Sequence, residues 1–313
     1  MKKFEFVISG YNTNSNALKL LEYSDDSIRQ LDAMKLDNPS FVTNYKKTIF
    51  TYSKNPLKLI CINCSGNVVD KLFICDEIKL DLKSMTHLSF SRVNETLYGA
   101  SYLDGCIVAV KYKDNKFGQI KIINHKELYS QDSKCHAIIL NEDENIVCCV
   151  NIATSCLYFY DVDLNYIDRI QLKEGCGPRH ACFSGKMIYC ITEYSNEVVA
   201  INLNTKEIRY YSSIHSECES YGATLFIKSN YLFASNRGEE TIAKFKIDKE
   251  GWLEYQESFS VYGYHSRHMI NYDDLIITCN KNSNNICFID INTHKLVKEI
   301  KIPNPSGVCV LSD

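Results

Sequence analysis

The sequence is poor in the residues that divide a chain into flexible segments. Its 313 residues include 13 glycines and five prolines. No stretch rich in proline, glycine or serine and no run of like charge interrupts it, so nothing marks a linker between domains. We therefore expect one domain over residues 1–313, a length that all-β barrels and propellers reach as single domains.

Long apolar stretches are also missing. No segment approaches the roughly 18 consecutive apolar residues of a membrane-spanning helix. The N-terminal segment MKKFEFVISGYNTNS has only a short apolar run, unlike the roughly 7–15-residue apolar core of a signal peptide. These absences predict that the protein has no membrane partner and is cytoplasmic.

Positive charge is not in excess. The chain has 35 Lys and Arg against 38 Asp and Glu, a net charge of −3 with neutral histidines. Bulk electrostatics therefore favours neither nucleic acid nor an anionic membrane as a partner. We expect a monomer or a weak homo-oligomer.

Cysteines are plentiful, but the patterns that would give them a metal are missing. The chain has 15 of them, and the C-x-x-C spacing of Cys61 and Cys64 lacks the nearby second pair or two histidines that a zinc site needs. Most of the others lie in apolar runs, as Cys148, Cys149 and Cys190 do. We expect reduced thiols packed as small apolar side chains, and no metal or cofactor.

Short apolar runs separated by Asn, Asp, Glu and Ser fill the chain, which is typical of antiparallel strands. The clearest unit, CHAIILNEDENIVCCVNIATSCLYFYDVDLNYIDRIQL, predicts strands at 136–140, 146–151, 156–161 and 166–172. The layout recurs every 39–49 residues, close to the period of a four-stranded propeller blade. The repeats start at Ser40, His87, His136, His180, Gly222, His268 and Gly307.

The two ends of the chain complete each other. The first 36 residues read as three strands without an inner one, and PSGVCVLSD at the C-terminus reads as one inner strand. Pairing strand 307–311 with strand 4–9 closes the ring and leaves no unpaired sheet edge at the seam. The sequence thus predicts an all-β, seven-bladed β-propeller of four-stranded antiparallel blades, closed by a C-terminal inner strand in the N-terminal blade.

Antiparallel pairing also predicts which residues meet. In each blade the start of the first strand and the end of the second lie at the same sheet edge. All blades point the same way around the channel, so these positions share one rim. The strand-one starts are His87, His136, Arg179, His180, Arg267 and His268. The strand-two ends are Tyr102, Asn151, Glu193, Asn196, Asn236, Arg237, Asn280 and Lys281.

This rim gathers arginines, histidines and a glutamate. Arginines at a concave mouth suit bidentate binding of a carboxylate or phosphate, so a small anionic substrate is the expected partner. His and Glu can transfer protons near neutral pH. The alternative is structural, because Arg and His at strand starts can also cap carbonyls and link blades.

Several blade motifs resemble those of the seven-bladed propeller lactonases, a family with the propeller-type 6-phosphogluconolactonases and the fungal 3-carboxy-cis,cis-muconate lactonizing enzymes. The matching segments are ISGYNTNSNALKLLEY, YGASYLDGCIVAV, CHAIIL, GPRHACF, ITEYSNEVVA, ASNRGEETIAKFKID, SRHMI and TCNKNSNNICFI. The resemblance covers almost the whole chain. It implies a catalytic site of one His, two Arg and one Glu at the channel mouth, which here are His136 of CHAI, Arg179 of GPRH, Glu193 of ITEYSN and Arg237 of SNRG.

Three functions follow as hypotheses. The first is metal-independent hydrolysis of a sugar-acid lactone, with 6-phosphogluconolactone as a candidate. Glu193 or His136 would be the base, Arg179 would stabilise the oxyanion, and Arg237 and Arg267 would hold an anionic group. The neighbouring residues His87, His180 and His268 are candidates for substrate binding together with Arg267. The second is a cycloisomerase that closes a lactone on a carboxylated muconate, and the third is a non-catalytic propeller that binds proteins.

Overall fold

The computed structural model describes residues 3–12, 15–25, 27–65 and 71–311. In these ranges the chain forms seven four-stranded antiparallel sheets, arranged as the blades of a propeller. The predicted fold class is therefore confirmed. Thr13 and Asn14, in the motif quoted for the first blade, lie outside the described residues.

The first blade is the composite one and takes its inner strand from the C-terminus. Its strands are β28 (Pro305–Leu311), β1 (Lys3–Gly10), β2 (Ser15–Ser24) and β3 (Ile28–Leu36). Blade 2 contains β4 (Thr43–Tyr45), β5 (Thr48–Ser53), β6 (Lys58–Ser65) and β7 (Lys71–Lys79). Blade 3 contains β8 (His87–Ser91), β9 (Thr96–Ser101), β10 (Cys106–Lys113) and β11 (Lys116–Asn124), and is followed by the short helix α1 (His125–Leu128).

The remaining four blades follow the same order from the channel outwards. Blade 4 contains β12 (Cys135–Leu140), β13 (Val147–Asn151), β14 (Cys156–Tyr160) and β15 (Tyr166–Gln171). Blade 5 contains β16 (Pro178–Ser184), β17 (Met187–Thr192), β18 (Glu197–Asn202) and β19 (Ile208–Ser212). Blade 6 contains β20 (Tyr221–Lys228), β21 (Tyr231–Arg237), β22 (Thr241–Ile247) and β23 (Leu253–Ser260). Blade 7 contains β24 (Ser266–Tyr272), β25 (Leu275–Asn280), β26 (Asn285–Asp290) and β27 (Leu296–Lys301).

The ring closes through the predicted pairing of the two ends of the chain. Strand β28 lies antiparallel to β1, with Val7 opposite Cys309 and Ile8 opposite Val308. On its other sides β28 neighbours the inner strands β24 and β4, so it completes the wall of the channel. The C-terminal segment is therefore both a blade strand and the closure of the ring.

The core lies between the blades. Each of the seven junctions between neighbouring blades holds one apolar cluster of buried side chains in the described part of the chain. Middle strands such as β9 and β17 are buried along their whole length because a blade packs on each face. Outermost strands such as β7 are mostly exposed. All 15 thiols are free, and most of them lie in these clusters.

One inner strand differs from the sequence prediction. The repeat places the start of blade 2 at Ser40, whereas ladder pairing begins only at Thr43. The carbonyl of Phe41 accepts a hydrogen bond from the Thr51 hydroxyl, at 2.7 Å, in place of a backbone donor. The side chain therefore substitutes for the first step of the ladder. No helix in the described ranges is long and apolar enough to cross a membrane.

Candidate active site

β-Bulges at the starts of three inner strands set the directions of the candidate site residues. The pairing register skips His136 in β12, Arg179 in β16 and Arg267 in β24. A bulge re-aims side chains, so that consecutive residues need not point to opposite faces. Arg179 and His180 accordingly both line one recess in the channel, and so do Arg267 and His268.

The recess is small, with a cavity volume of about 20 Å³, which is about enough for one water molecule. It lies at the predicted rim, and five of the predicted site residues line it. The full lining consists of Tyr11, Ser40, Phe41, Thr86, His136, Arg179, His180, Arg267, His268 and Ser306. His87 adjoins this group, with its ring centroid 4.3 Å from Phe41 and 5.1 Å from His180.

Glu193 joins two of the arginines from neighbouring blades. Its Oε2 lies 3.0 Å from Nε of Arg179 and 3.2 Å from Nη2 of Arg237. The arginine side chains are 3% and 5% exposed, and Glu193 is 20% exposed. Three residues separated by up to 58 positions thus form one ion-paired cluster at the rim (237 − 179 = 58).

The same arginines also donate to backbone carbonyl groups, and the bond from Arg179 crosses from blade 5 to blade 6. Arg179 donates from Nη1 to the carbonyl of Ala223, and Arg237 donates from Nη2 to that of Gly222 at 3.0 Å. Both carbonyls belong to β20. The arginines therefore also have the structural role that the sequence allowed, which is to cap backbone carbonyls. These hydrogen bonds hold the guanidinium groups in fixed positions.

The cluster carries more positive than negative charge. Burial and the charge of Arg237 hold the pKa of the Arg179 guanidinium well below its usual range. Burial also lowers the pKa of Arg237, although the charge of Glu193 opposes that shift. Arg267 adds a third cation, so Glu193 leaves an excess of positive charge that favours an anionic ligand.

The channel histidines are neutral at physiological pH. Burial lowers the pKa of His136 and His180 well below the usual range, and the charge of Arg179 adds to the effect. Burial, followed by the charges of His268 and Arg179, lowers the pKa of His87 to about 3. Burial and Arg179 lower that of His268 to about 4. These imidazoles therefore each present one donor and one acceptor nitrogen.

The hydrogen bonding of the histidines differs. His180 Nδ1 lies 3.2 Å from the Thr224 hydroxyl, and His268 Nδ1 accepts the backbone N–H of Val308 at 3.3 Å. The buried Nδ1 of His136 has no hydrogen-bond partner among the described residues. A buried nitrogen of this kind requires a water or ligand group to satisfy it.

Several asparagines predicted at the rim serve the fold instead. Asn151 accepts the backbone N–H of Lys134 at 3.1 Å, and Asn280 donates to the carbonyl of Val261 at 3.0 Å. Asn236 makes the equivalent bond to Ser213. In each case the end of strand two is tied to the chain segment that enters the blade, so these residues stay outside the reactive cluster.

A group of two cations and one aromatic ring lies at the edge of the recess. The guanidinium carbon of Arg267 and Nζ of Lys281 each lie 5.2 Å from the centroid of the Tyr11 ring. Lys281 was among the predicted rim positions, but Tyr11 was missed. Tyr11 follows β1, the second strand of the composite blade, so the rule that found the other strand-two ends would have found it too.

Comparison with known proteins identifies the family of the chain. The family model described as "Lactonase, 7-bladed beta-propeller" matches residues 5–312. The chain belongs to this lactonase family. A Bacillus subtilis protein named 6-phosphogluconolactonase is 24% identical over 310 residues, which covers 89% of this chain and 88% of the relative. A 6-phosphogluconolactonase of Formosa agariphila is 32% identical over 171 residues, 47% of this chain and 48% of the relative.

Solved structures show the same fold. A periplasmic gluconolactonase of Pseudomonas aeruginosa superposes with a TM-score of 0.87 at 16% identity, over 99% of both chains. A putative 6-phosphogluconolactonase of Bacteroides fragilis gives a TM-score of 0.86 at 18% identity, over 99% of this chain and 98% of the other. At such identities the likeness concerns the propeller architecture.

The two most specific lactonase motifs contain glycines that the backbone requires. Gly177 of GPRH has φ +67°, and a Cβ there would meet the Tyr194 ring at 2.3 Å. Gly238 of SNRG has φ +113°, and a Cβ would lie 2.1 Å from the carbonyl oxygen of Glu219. These positions favour glycine on both counts, and they fix the turns next to Arg179 and Arg237.

One buried group outside the recess has the side chains of a metal site. Ligand atoms of His125, Cys135 and Cys149 lie within 4.8 Å of one another. However, Nε2 of His125 lies 2.8 Å from the Tyr160 hydroxyl, and Nδ1 lies 3.5 Å from Nδ2 of Asn151. Burial raises the pKa of the Cys135 thiol well above its usual range. The group thus packs as a hydrogen-bonded imidazole beside a buried thiol.

Proposed function

We propose that this lactonase hydrolyses a sugar-acid lactone at the mouth of the channel recess, with His136 as the base. The observation that carries the proposal is the unsatisfied, buried Nδ1 of His136 in a recess that Arg179 also lines. A water bound at that nitrogen would have an acceptor for its proton. The nearby guanidinium would stabilise negative charge on the attacked carbonyl oxygen.

The reaction then proceeds in two steps. The water oxygen attacks the lactone carbonyl carbon while Nδ1 of His136 takes the proton, and Arg179 stabilises the oxyanion. The tetrahedral intermediate collapses by breaking the bond between that carbon and the ring oxygen. The imidazolium returns its proton to the leaving ring oxygen, which gives the open hydroxy acid. Because the imidazolium and the oxyanion form together, the net charge of the recess does not change.

Glu193 has a positioning role in this scheme. Its Oε2 already contacts both Arg179 and Arg237. These contacts hold the two guanidinium groups next to each other at the rim. We therefore assign the orientation of the arginines to Glu193, and substrate binding to Arg237, Arg267 and the remaining histidines.

We also propose that the reaction needs no metal, that the substrate is anionic and that the protein is cytoplasmic. The steps above need no metal, because a base and a cation for the oxyanion are available from the chain itself. The excess of positive charge in the recess supports a small anionic substrate. The free, mostly buried thiols support a reducing compartment, and we propose the cytoplasm.

The test is a panel of phosphorylated and unphosphorylated sugar-acid lactones, with spontaneous hydrolysis subtracted. We expect the parent to hydrolyse at least one, and His136→Gln to lower its kcat by about 10²–10⁴-fold, the usual contribution of a general base. The matched control is His215→Gln, because His215 is exposed and lies outside the recess. A parent that hydrolyses no lactone above background would contradict the proposal, and an unchanged kcat in His136→Gln would remove His136 as the base.

A further inference from the structure

The buried group of one histidine and two cysteines lies outside the recess, next to the junction of blades 3 and 4. Ligand atoms of His125, Cys135 and Cys149 lie within 4.8 Å of one another, and the three side chains are fully buried. The histidine is in α1, which connects the two blades, whereas the cysteines belong to β12 and β13 of blade 4. The fold thus gathers residues that are 10 and 14 positions apart in the chain (135 − 125 = 10; 149 − 135 = 14), which no short sequence motif would show.

The contacts of His125 leave one ring nitrogen for a further ligand. Nε2 lies 2.8 Å from the Tyr160 hydroxyl, which in turn lies 3.1 Å from the hydroxyl of Tyr129. Nδ1 lies 3.5 Å from Nδ2 of Asn151, which is longer than an ordinary protein hydrogen bond. Histidines that bind metals commonly donate their second N–H to an oxygen, which fixes the tautomer and the ring orientation. Tyr160 offers such an acceptor at Nε2, so Nδ1 is the nitrogen that can coordinate an ion.

The two thiols can supply the negative charge that a buried cation needs. Both are free, and the neighbouring Cys149 thiol adds to burial in raising the pKa of Cys135. A bound Zn²⁺ nevertheless deprotonates a coordinating thiol outright, so both thiol protons would leave for the solvent on binding. Two thiolates and a neutral imidazole around a divalent cation have no net charge. The complex therefore avoids the high cost of an uncompensated charge in the core.

The distances in this group suit zinc. Zn–S bonds of about 2.3 Å and Zn–N bonds of about 2.1 Å place tetrahedral ligand atoms about 3.5–3.8 Å apart. Since the three ligand atoms already lie within 4.8 Å of one another, side-chain rotations that close the group by about 1 Å are sufficient. Thiolate and imidazole ligands select zinc over magnesium and calcium, which prefer oxygen. Three protein ligands leave the fourth tetrahedral position to a water molecule.

We propose that His125, Cys135 and Cys149 bind a structural zinc ion, which ties the connection between blades 3 and 4 to the sheet of blade 4. Cys135 precedes His136, but His136 lines the recess while Cys135 lies in the core cluster between blades 3 and 4. The ion therefore takes no part in the proposed lactone hydrolysis, and the inference does not depend on that function. Because the three side chains are fully buried, the ion enters when α1 opens locally.

The experiment compares Cys149→Ser with the parent, and Cys148→Ser is the matched control. Both thiols are fully buried in β13, but Cys148 lies in the cluster between blades 4 and 5 and Cys149 in that between blades 3 and 4. The reduced, chelator-treated proteins are titrated with Zn²⁺ and separately with Co²⁺, whose absorption reports thiolate coordination. Bound zinc is measured by mass spectrometry, and the Tm by circular dichroism. A second variant, His125→Gln, removes a ligand outside the sheets, so the test does not depend on the folding of Cys149→Ser.

We expect the parent and Cys148→Ser to bind one zinc per chain and to show thiolate-to-cobalt charge-transfer absorption. Their Tm should rise by about 5 °C at a Zn²⁺ concentration about 100 times the Kd. Cys149→Ser and His125→Gln should each weaken binding at least about 100-fold because a direct ligand is lost, and their Tm should rise by less than about 1 °C at that concentration. A parent without the charge-transfer absorption would overturn the proposal. Equally tight zinc binding by the parent and both ligand variants would also overturn it, since surface groups would then hold the ion.

Discussion

Replacing Arg179 with methionine tests whether this guanidinium serves chemistry or only the fold. The change removes the charge but keeps a long, apolar side chain at a position that is 3% exposed. If Arg179 stabilises the oxyanion, its loss should cost about 2–4 kcal/mol of transition-state stabilisation, the usual scale for one such donor. That corresponds to a decrease in kcat of roughly 30–1000-fold.

The effect on stability should be much smaller, because two terms oppose each other. The carbonyl of Ala223 loses its donor, which costs about 1–3 kcal/mol for a buried acceptor. Against this, the fold disfavours the charged form of Arg179 through burial and the charge of Arg237. Glu193 keeps Arg237 as a partner at 3.2 Å, so the loss of Arg179 does not leave its carboxylate unpaired. We expect the Tm to change by less than about 2 °C, equivalent to roughly 1 kcal/mol in a chain of this size.

The assay pairs lactone hydrolysis with thermal unfolding followed by circular dichroism. Arg92→Met is the control, since Arg92 is 65% exposed and makes one surface ion pair with Glu144 at 2.9 Å. It should leave both the activity and the Tm nearly unchanged. The reasoning is refuted if Arg179→Met hydrolyses lactones as fast as the parent. A large fall in Tm with unchanged specific activity would instead assign Arg179 to blade linkage alone.

The remaining predictions concern closure, pH and redox state. Deleting residues 306–313 removes most of the strand that pairs with β1, so a ring that unfolds as one domain should lose several kcal/mol of stability; an unchanged Tm would contradict this. His265 and His268 have pKa values lowered to about 4, so their contribution to stability should be present above about pH 6.5 and be lost as the pH falls towards 4. His268→Gln should make the Tm fall less steeply between about pH 6.5 and pH 4. An unchanged slope would show that protonation of His268 does not cause the fall in Tm. Dithiothreitol should leave the Tm and the mass unchanged because the thiols are free and mostly buried, and a marked drop in Tm would indicate a structural disulfide.

The positions of the strands followed closely from local patterns. In blade 4 the sequence predicts strands at 136–140, 146–151, 156–161 and 166–172, and the structure has them within one residue at each end. Alternating apolar runs and polar turns carry this information because each strand must bury its side chains against a neighbouring blade. The inner strand of blade 2 was less predictable, since a Thr51 side chain replaces a backbone donor there.

The membership of the rim also followed from the sequence, since antiparallel connectivity alone places strand starts and strand-two ends at one edge. Which rim residues form the recess did not follow. Asn151 and Asn280 occupy the same kind of position as Glu193, yet they bind backbone groups at the entrance to their blades. The distinction depends on which backbone atoms lie nearby, and a repeat pattern does not contain that information.

The sequence by itself determined the number of blades, the closure of the ring and the edge at which the polar side chains gather, because all three depend on the order and spacing of strands. Only the tertiary structure decided the directions and partners of those side chains. The bulges that re-aim His136, Arg179 and Arg267 arise from pairing between strands. The contact of Glu193 with Arg237 crosses from blade 5 to blade 6. Directions and contacts of this kind exist only when blades distant in the chain pack around a common axis.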